Sequence, residues 1–283
     1  MSETNINWFP GHMAKALNEI KASLKLCDVI IEIGDARAPI SSFNPLLEDI
    51  ISNKIYLKIF SKYDLCDLKK TKQVQDYYAS KSITTLGLDL TKKESANEII
   101  KFINTSCEPL KQKDIKRGLK PRNYRVMVVG IPNVGKSTLI NLLAKRKSAS
   151  VANKPGHTKA QQWIKCQGFD LLDTPGVLWP NVSKADIGIK LALIGSIKSE
   201  VLPMEDLSKY AFNFLNDNYP NYIKEKYAIE YQDYETFLDN LSLARKHLVK
   251  NNELDYQRTI INFLNDFKNG EIGKITLEEV TNG

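Results

Sequence analysis

Residues 130–138 of this 283-residue chain read GIPNVGKST and follow the apolar run RVMVV at 125–129. The pattern G-x-x-x-x-G-K-S between a strand and a helix is typical of a phosphate-binding loop. Its glycines let backbone N–H groups converge on phosphate oxygens, and the helix N-terminus adds partial positive charge. Lys136 would reach the terminal phosphates, and the Ser137 hydroxyl would bind Mg²⁺. Phosphate contacts are expected from Asn133, Val134, Gly135, Lys136, Ser137 and Thr138.

A second motif, FDLLDTPG at 169–176, is an apolar strand that ends in D-x-x-G. Asp173 would hold Mg²⁺, directly or through water, and the Gly176 N–H would contact the terminal phosphate. Between the two motifs, the segment PGHT at 155–158 supplies the Thr158 hydroxyl as a further Mg²⁺ ligand and catalytic candidate. The alternative is that Thr158 is a loop residue with no metal role.

A nucleotide site also needs residues that bind the base, and the strand 55–60 leads into the motif S-K-x-D. The Asp64 carboxylate can accept hydrogen bonds from N1–H and the 2-amino group of guanine, whereas adenine has neither donor there. The Lys62 stem can pack on the ring. Ser61 stands where this motif usually has Asn, whose amide ties the loop to the phosphate loop, so that tie is open to question. Backbone contacts to the guanine oxygen are expected from two residues after the next strand, Asp89 and Leu90.

The order of strand-like and helix-like patterns predicts the fold class. Short β-branched runs alternate with helical periodicity up to about residue 184, and amphipathic helical stripes follow. We therefore expect a three-layer α/β domain with a mostly parallel sheet over 1–184 and an all-helical domain over 185–283. The basic stretch 109–125 has no clear period and is interpreted as a linker. Strands are predicted at 29–33, 55–60, 83–88, 125–129, 160–166 and 169–172, and helices at 12–26, 43–51, 69–80, 94–106 and 136–144.

The base motif precedes the phosphate motif in this chain. When the GTPase motifs are numbered in their usual order, they occur here as 4-5-1-2-3, which is the signature of circularly permuted P-loop GTPases. The chain closely resembles the bacterial ribosome biogenesis GTPase A family in four segments: WFPGHMAK at 8–15, DARAP at 35–39, 130–138, and DTPGVLWP at 173–180. The resemblance implies binding of GTP and GDP, a low intrinsic rate of GTP hydrolysis, and a role in late maturation of the large (50S) ribosomal subunit. It also implies that the particle stimulates hydrolysis and that the C-terminal helical domain binds rRNA.

The residue that positions the attacking water is a separate question. Val177 stands where many GTPases have a Gln after D-x-x-G, and it cannot orient water. The resemblance assigns this catalytic role to His12, because a histidine can accept a hydrogen bond from water near neutral pH. His157 is a rival, and His12 could instead pack at a helix start or bind RNA. The resemblance also associates Asn133 with a bound K⁺.

The charge distribution indicates a polyanionic partner. The net charge is +7, but residues 101–150 contain 12 basic and 2 acidic residues. Such a band favours nucleic acid over a membrane surface. RNA contacts are predicted at 109–125, 145–147 and 245–247, although the third segment could equally be a solvated helix face. No run is long enough to span a membrane, no secretory signal is evident, and four scattered cysteines suggest a reduced compartment, so we expect a cytoplasmic monomer.

Two alternatives stay open at this point. The chain could be an rRNA-binding scaffold that binds GTP without hydrolysing it, although Lys136, Ser137 and Asp173 favour an enzyme. It could also be a permuted GTPase that acts on the small subunit. Members of that group carry an added OB domain and zinc ligands, for which this chain has neither the length nor the residues.

Overall fold

The computed structural model describes residues 11–51, 54–120, 122–144, 163–174, 185–197 and 202–280. It divides the chain into two compact units, residues 1–184 with 276–283, and residues 185–275. In the first unit the described elements are α1 Gly11–Leu24, β1 Val29–Asp35, α2 Pro45–Ile50, β2 Ile55–Ser61, α3 Leu68–Ser80, β3 Thr84–Gly87, α4 Ser95–Lys116, β4 Tyr124–Gly130, α5 Lys136–Ala144, β5 Trp163–Lys165 and β6 Phe169–Asp173.

The six described strands form one sheet in the order β3-β2-β1-β4-β6-β5. All neighbouring strands are parallel except β5 and β6. All seven residues of β1 are buried, as expected for an apolar strand covered on both faces. The chain leaves β1 and β4 in opposite directions, so their carboxyl ends flank the switch point at which open α/β sheets bind ligands. The predicted P-loop α/β class with a mostly parallel sheet is confirmed.

The prediction of a linker over 109–125 is wrong for its first half, because α4 continues through Pro109 to Lys116. The residues after Pro109 are mostly good helix formers, and an exposed helix end needs no apolar period. Glu108 supports this turn by accepting a hydrogen bond from the Gln112 amide at 2.8 Å. The helix ends where Gly118 adopts a φ of 69°.

The second unit is helical over its described residues. Its core contains a cluster of aromatic side chains in which the Phe237 ring lies 4.9 Å from the rings of both Phe212 and Phe263, measured between centroids. No described helix of the chain is long and apolar enough to cross a membrane. The described elements of this unit are α6 Ala185–Leu193, α7 Met204–Asn218, α8 Tyr222–Tyr227, α9 Tyr234–Ala244, a 3₁₀ helix Lys250–Asn252 and α10 Tyr256–Asn269.

The assignment of residues 276–283 to the helical domain is a second wrong prediction, because these residues belong to the first unit. The Leu277 N–H donates to the Arg37 carbonyl at 2.7 Å, and the Glu278 carboxylate accepts from the Ile40 N–H at the same distance. The tail has no helical or alternating pattern that would reveal these contacts, since it is held through backbone groups and single polar side chains.

Candidate functional site

Parallel strands bring the sequence motifs to one edge of the sheet. The carboxyl ends of β1, β2, β4 and β6 point the same way, so the segments that follow them are neighbours. This edge therefore contains the base motif, the phosphate loop and Asp173, although about 110 residues of sequence separate Ser61 from Asp173. The edge also contains Asp35, at the end of β1.

The phosphate loop has the backbone conformation that its glycines permit. Gly135 has a φ of 95° and Asn133 a φ of 60°, both in the left-handed region. A Cβ atom at Gly130 would lie 2.6 Å from the Ile33 carbonyl oxygen of β1, so this position accepts no side chain without movement of the backbone. Helix α5 then begins at Lys136, as predicted, and its N-terminus faces the loop that would hold phosphate.

Lys136 and Asp173 pair with each other across the phosphate loop. The Lys136 ammonium lies 2.8 Å from Asp173 Oδ1, and the Asp173 side chain is 51% exposed. The Ser137 side chain, the next in α5, is exposed. A hydroxyl and a carboxylate are oxygen donors suited to a hard cation, so Ser137 and Asp173 fit the predicted Mg²⁺ site.

Ser61 ties the base loop, residues 61–66, to the phosphate loop, although it stands in place of the usual Asn. Its hydroxyl lies 2.6 Å from the Val134 carbonyl oxygen and 2.9 Å from the Gly34 carbonyl oxygen. Both acceptors are backbone groups of the sheet edge, and the Ser61 side chain is buried. One hydroxyl has one proton, so the two carbonyls share it. The question that the sequence left open is answered, because a serine reaches the phosphate loop here.

A buried ion-pair network holds Lys62 in the base loop. The Lys62 ammonium and one Arg37 guanidinium nitrogen each lie 2.8 Å from Asp35 Oδ2. Burial alone would raise the pKa of Asp35, but the charges of Arg37 and Lys62 and their hydrogen bonds outweigh it and lower that pKa to about 2. Sequence reasoning gave no role to Asp35 or Arg37. The ion pair fixes the direction of the Lys62 stem that was predicted to pack on the base.

The predicted base-contact residues Asp64 and Asp89 differ in the hydrogen bonds that their side chains make within the protein. Asp64 is exposed and makes no hydrogen bond or ion pair within the described part of the chain. At Asp89 the expected contact is the backbone, and its carboxylate accepts hydrogen bonds from the N–H and hydroxyl of Thr91, at 2.9 and 2.6 Å. Burial opposes ionisation of Asp89, but these bonds lower its pKa. The segment after β3, which contains Asp89 and Leu90, is joined to the base motif, because the Tyr63 N–H donates to the Leu88 carbonyl at 3.3 Å.

Leu90 is buried beside the phosphate loop. A Cβ atom added to Gly135 would lie 3.1 Å from Leu90 Cδ1 and 3.6 Å from Ser61 Cβ. Gly135 is thus the point where the phosphate loop, the base motif and the segment after β3 come together. Together with Asp173 at the end of β6, which pairs with Lys136, the structure therefore brings together the predicted residues of these three segments: Ser61, Lys62, Asp64, Asp89, Leu90, Asn133, Val134, Gly135, Lys136, Ser137 and Thr138.

Several predicted residues are not located at this site by the structure. Thr158 and Gly176 lie outside the described residues, as do His157, Val177 and the basic segment 145–147. His12 is described only as a backbone position in the first turn of α1.

Most side chains of the predicted RNA segment 245–247 make contacts within the second unit. Arg245 pairs with Asp266 at 2.6 Å, and the buried His247 ring contacts Thr259 and Asn262. Burial, together with nearby arginines, lowers the pKa of His247 and so disfavours its charged form. Two of the three residues in this predicted contact thus have structural roles.

Comparison with known proteins agrees with this site. The family model described as "50S ribosome-binding GTPase" matches residues 125–240. Ribosome biogenesis GTPase A of Bacillus licheniformis is 39% identical over 97% of this chain and 98% of its own length. The protein of the same name from Bacillus cereus is 39% identical over 96% of this chain and 93% of its own length.

A solved structure agrees as well. The crystal structure of GNP-bound YlqF from T. maritima covers 94% of this chain and 98% of its own, with a TM-score of 0.66 and 25% identity. The similarity to curated relatives extends over nearly the whole chain, so the resemblance inferred from the motifs is confirmed. The chain is a GTPase, and it belongs to the ribosome biogenesis GTPase A family.

Proposed function

We propose that this chain binds and hydrolyses GTP as an assembly factor in late maturation of the large (50S) ribosomal subunit, with hydrolysis stimulated by the particle. One observation supports the nucleotide assignment most strongly. The Ser61 hydroxyl bridges the base motif and the phosphate loop at 2.6 Å, which places the exposed Asp64 carboxylate on a loop fixed to the phosphate site. The names of the curated relatives support the ribosomal role.

On the phosphate side, nucleotide binding would break the ion pair between Lys136 and Asp173, and each group would take a new partner. In the structure Lys136 pairs with Asp173, and both groups are proposed to take new partners in the bound state. Lys136 would turn to the phosphate oxygens, while Ser137, Asp173 and Thr158 would hold Mg²⁺. The cation supplies positive charge that stabilises the developing charge on the transferred phosphoryl group. Asn133, in the phosphate loop, is the proposed ligand of K⁺, and the Gly176 N–H the proposed contact to the terminal phosphate.

His12 is the proposed positioning group for the attacking water, because the Val177 side chain has no polar atom. The expected variant is His12→Ala, with nearly unchanged GTP affinity and a large loss of particle-stimulated hydrolysis. His157→Ala is the matched control, since it removes the rival imidazole. Unchanged stimulated turnover in His12→Ala with loss in His157→Ala would transfer the role to His157.

RNA contact is proposed for the exposed end of α4 and the residues after it. Four cations there are exposed and closely spaced, Lys113, Lys116, Arg117 and Lys120. Phosphate contacts by such groups release counterions, so their loss should lower the salt dependence of RNA binding. Segment 145–147 is a second proposed contact. We also propose that the protein acts as a monomer in the cytoplasm.

Single-turnover GTP hydrolysis, measured with and without large-subunit particles, tests the function. We expect slow hydrolysis by the chain alone and a strong increase with large-subunit particles, but no increase with small-subunit particles. Co-sedimentation with large-subunit particles should require GTP. Binding to the particles without any stimulated turnover would instead favour the alternative, an rRNA-binding scaffold with a hydrolytically inert site.

A further inference from the structure

We propose that the C-terminal tail, residues 276–280, is part of the guanine-binding site because it braces the two segments that hold the base loop. The base loop is defined here as residues 61–66. The inference rests on the proposed function, since it assumes that Lys62 and Asp64 bind guanine. It assigns a positioning role to residues that follow the helical unit in sequence and lie more than 200 positions away from the loop they support.

The first braced segment follows β1. The Leu277 N–H donates to the Arg37 carbonyl at 2.7 Å. The Glu278 carboxylate accepts from the backbone N–H groups of Ile40 and Ser41, at 2.7 and 2.9 Å, and also from the Ser41 hydroxyl. Glu278 is only 7% exposed, and these donors give its buried carboxylate hydrogen-bond partners.

The second braced segment follows the base loop and starts α3. The Asp67 N–H donates to the Thr276 hydroxyl oxygen at 3.0 Å, and the Thr276 and Thr71 hydroxyl oxygens lie 2.9 Å apart. Thr71 in turn donates to the Ala36 carbonyl at 3.1 Å. The tail therefore joins the start of α3 to the segment after β1, and Val280 packs on the apolar cluster that lies between them.

These two segments limit the positions of Lys62 and Asp64 in the base loop. Arg37 accepts a bond from the tail through its carbonyl and holds Asp35 through its side chain, and Asp35 holds Lys62. Asp67 is three residues after Asp64, so fixing Asp67 limits where the guanine-binding carboxylate can lie. Loss of the Glu278 carboxylate would leave the buried N–H of Ser41 without its acceptor and loosen the segment that positions Lys62.

The test compares the affinities of GDP and IDP, because inosine lacks the 2-amino group that Asp64 would bind. The variant Glu278→Ala should weaken GDP binding about tenfold and reduce the ratio of GDP to IDP affinity, as expected for loss of a charged hydrogen bond. Its matched control is Glu271→Ala, which removes a half-exposed carboxylate outside the tail that pairs with Lys226. Surface pairs contribute little, so this control should keep the wild-type ratio.

Ser41→Ala is a second, milder variant that removes one donor to Glu278 and should change the ratio in the same direction. It decides the matter if thermal unfolding shows that Glu278→Ala does not fold. A folded Glu278→Ala protein with the wild-type ratio, or equal losses in Glu278→Ala and Glu271→Ala, would overturn the inference. An unchanged ratio in Ser41→Ala when Glu278→Ala is unfolded would also overturn it. Failure of the proposed function is distinct, since wild-type protein would then show no preference for GDP over IDP.

Discussion

The base side and the phosphate side of the site are built in different ways. On the base side, Asp35 and Ser61 are almost completely buried and each makes several contacts with neighbouring segments. On the phosphate side, Ser137 is exposed, and among the described residues Lys136 pairs with the half-exposed Asp173. It follows that the groups expected to bind guanine are positioned before the nucleotide arrives, whereas the groups expected to bind phosphate and Mg²⁺ must change partners.

This difference suits a site in which contacts to the base select guanine nucleotides, while contacts to the phosphates distinguish GTP from GDP. GTP and GDP share the guanine, so the base side can stay the same in both complexes. The Lys136–Asp173 pair responds to phosphate and Mg²⁺, and the strand that ends at Asp173 leads within about a dozen residues to the helical unit at Ala185. A change of partners at Asp173 therefore occurs on the segment that connects to that unit.

The largest effect is expected from Lys136→Ala, which removes the proposed phosphate-binding cation. Hydrolysis should fall by about 100-fold or more, the usual scale for loss of one group that stabilises transition-state charge. Because the partner of Lys136 within the described residues is the half-exposed Asp173, thermal stability should change little. Lys72→Ala, which removes an exposed ammonium from α3, is the control and should leave single-turnover rates unchanged.

Asp64→Asn should have the next largest effect and tests the base side directly. GTP affinity should fall by about 10- to 100-fold, the scale of a lost hydrogen bond to a charged group. Xanthine has a carbonyl oxygen where guanine has its 2-amino group, so the side-chain amide introduced by the substitution could donate to it. Equilibrium titration should therefore show recovered binding with XDP. Equal loss of GDP and XDP affinity would contradict the guanine assignment.

Ser61→Ala should lower the free energy of unfolding and weaken GDP binding together, since it leaves the Val134 and Gly34 carbonyls without their shared donor. The expected loss of stability is about 1–3 kcal/mol, the cost of unsatisfied buried polar groups. Ser80→Ala removes an exposed hydroxyl at the end of α3 and should cost much less. Urea unfolding of both variants provides the measurement, and equal losses would mean that Ser61 does not join the two sides.

The last prediction concerns the pH dependence of stability. Because the folded-state pKa of Asp35 is lowered to about 2, the ionised carboxylate stabilises the fold above about pH 4. This contribution is lost as the pH falls from about 4 towards 2. At neutral pH, Asp35→Asn should be less stable than wild type by about 2 kcal/mol, and urea unfolding should show the difference narrowing below pH 4. A difference that stays constant down to pH 3 would contradict the ion-pair account.

The sequence predicted the phosphate side better than the base side. Helix α5 begins at Lys136 as expected, because a contiguous motif with glycines at fixed spacing determines both the loop and the helix start. The cores of the predicted strands at 29–33 and 55–60 are also confirmed, since continuous apolar runs are typical of buried parallel strands. The family and its permuted motif order followed from the same local patterns.

The interactions that brace the base side could not be predicted from local patterns. The bond from Ser61 to Val134 joins residues 73 positions apart, and those from Glu278 to Ile40 and Ser41 span more than 230. Such contacts depend on tertiary geometry, and no spacing rule indicates them. The continuation of α4 past Pro109 was missed for another reason, because an exposed helix end shows no apolar period.

Amide hydrogen exchange of the nucleotide-free and GDP-bound protein distinguishes a base side that is organised in advance from one that forms on binding. We expect the segments 35–43 and 67–71 to be protected already without nucleotide and to change little when GDP binds. The phosphate loop at 130–138 should gain most of its protection on binding. Fast exchange of 35–43 and 67–71 in the free protein, with protection acquired together with the phosphate loop, would contradict a base side that is organised in advance.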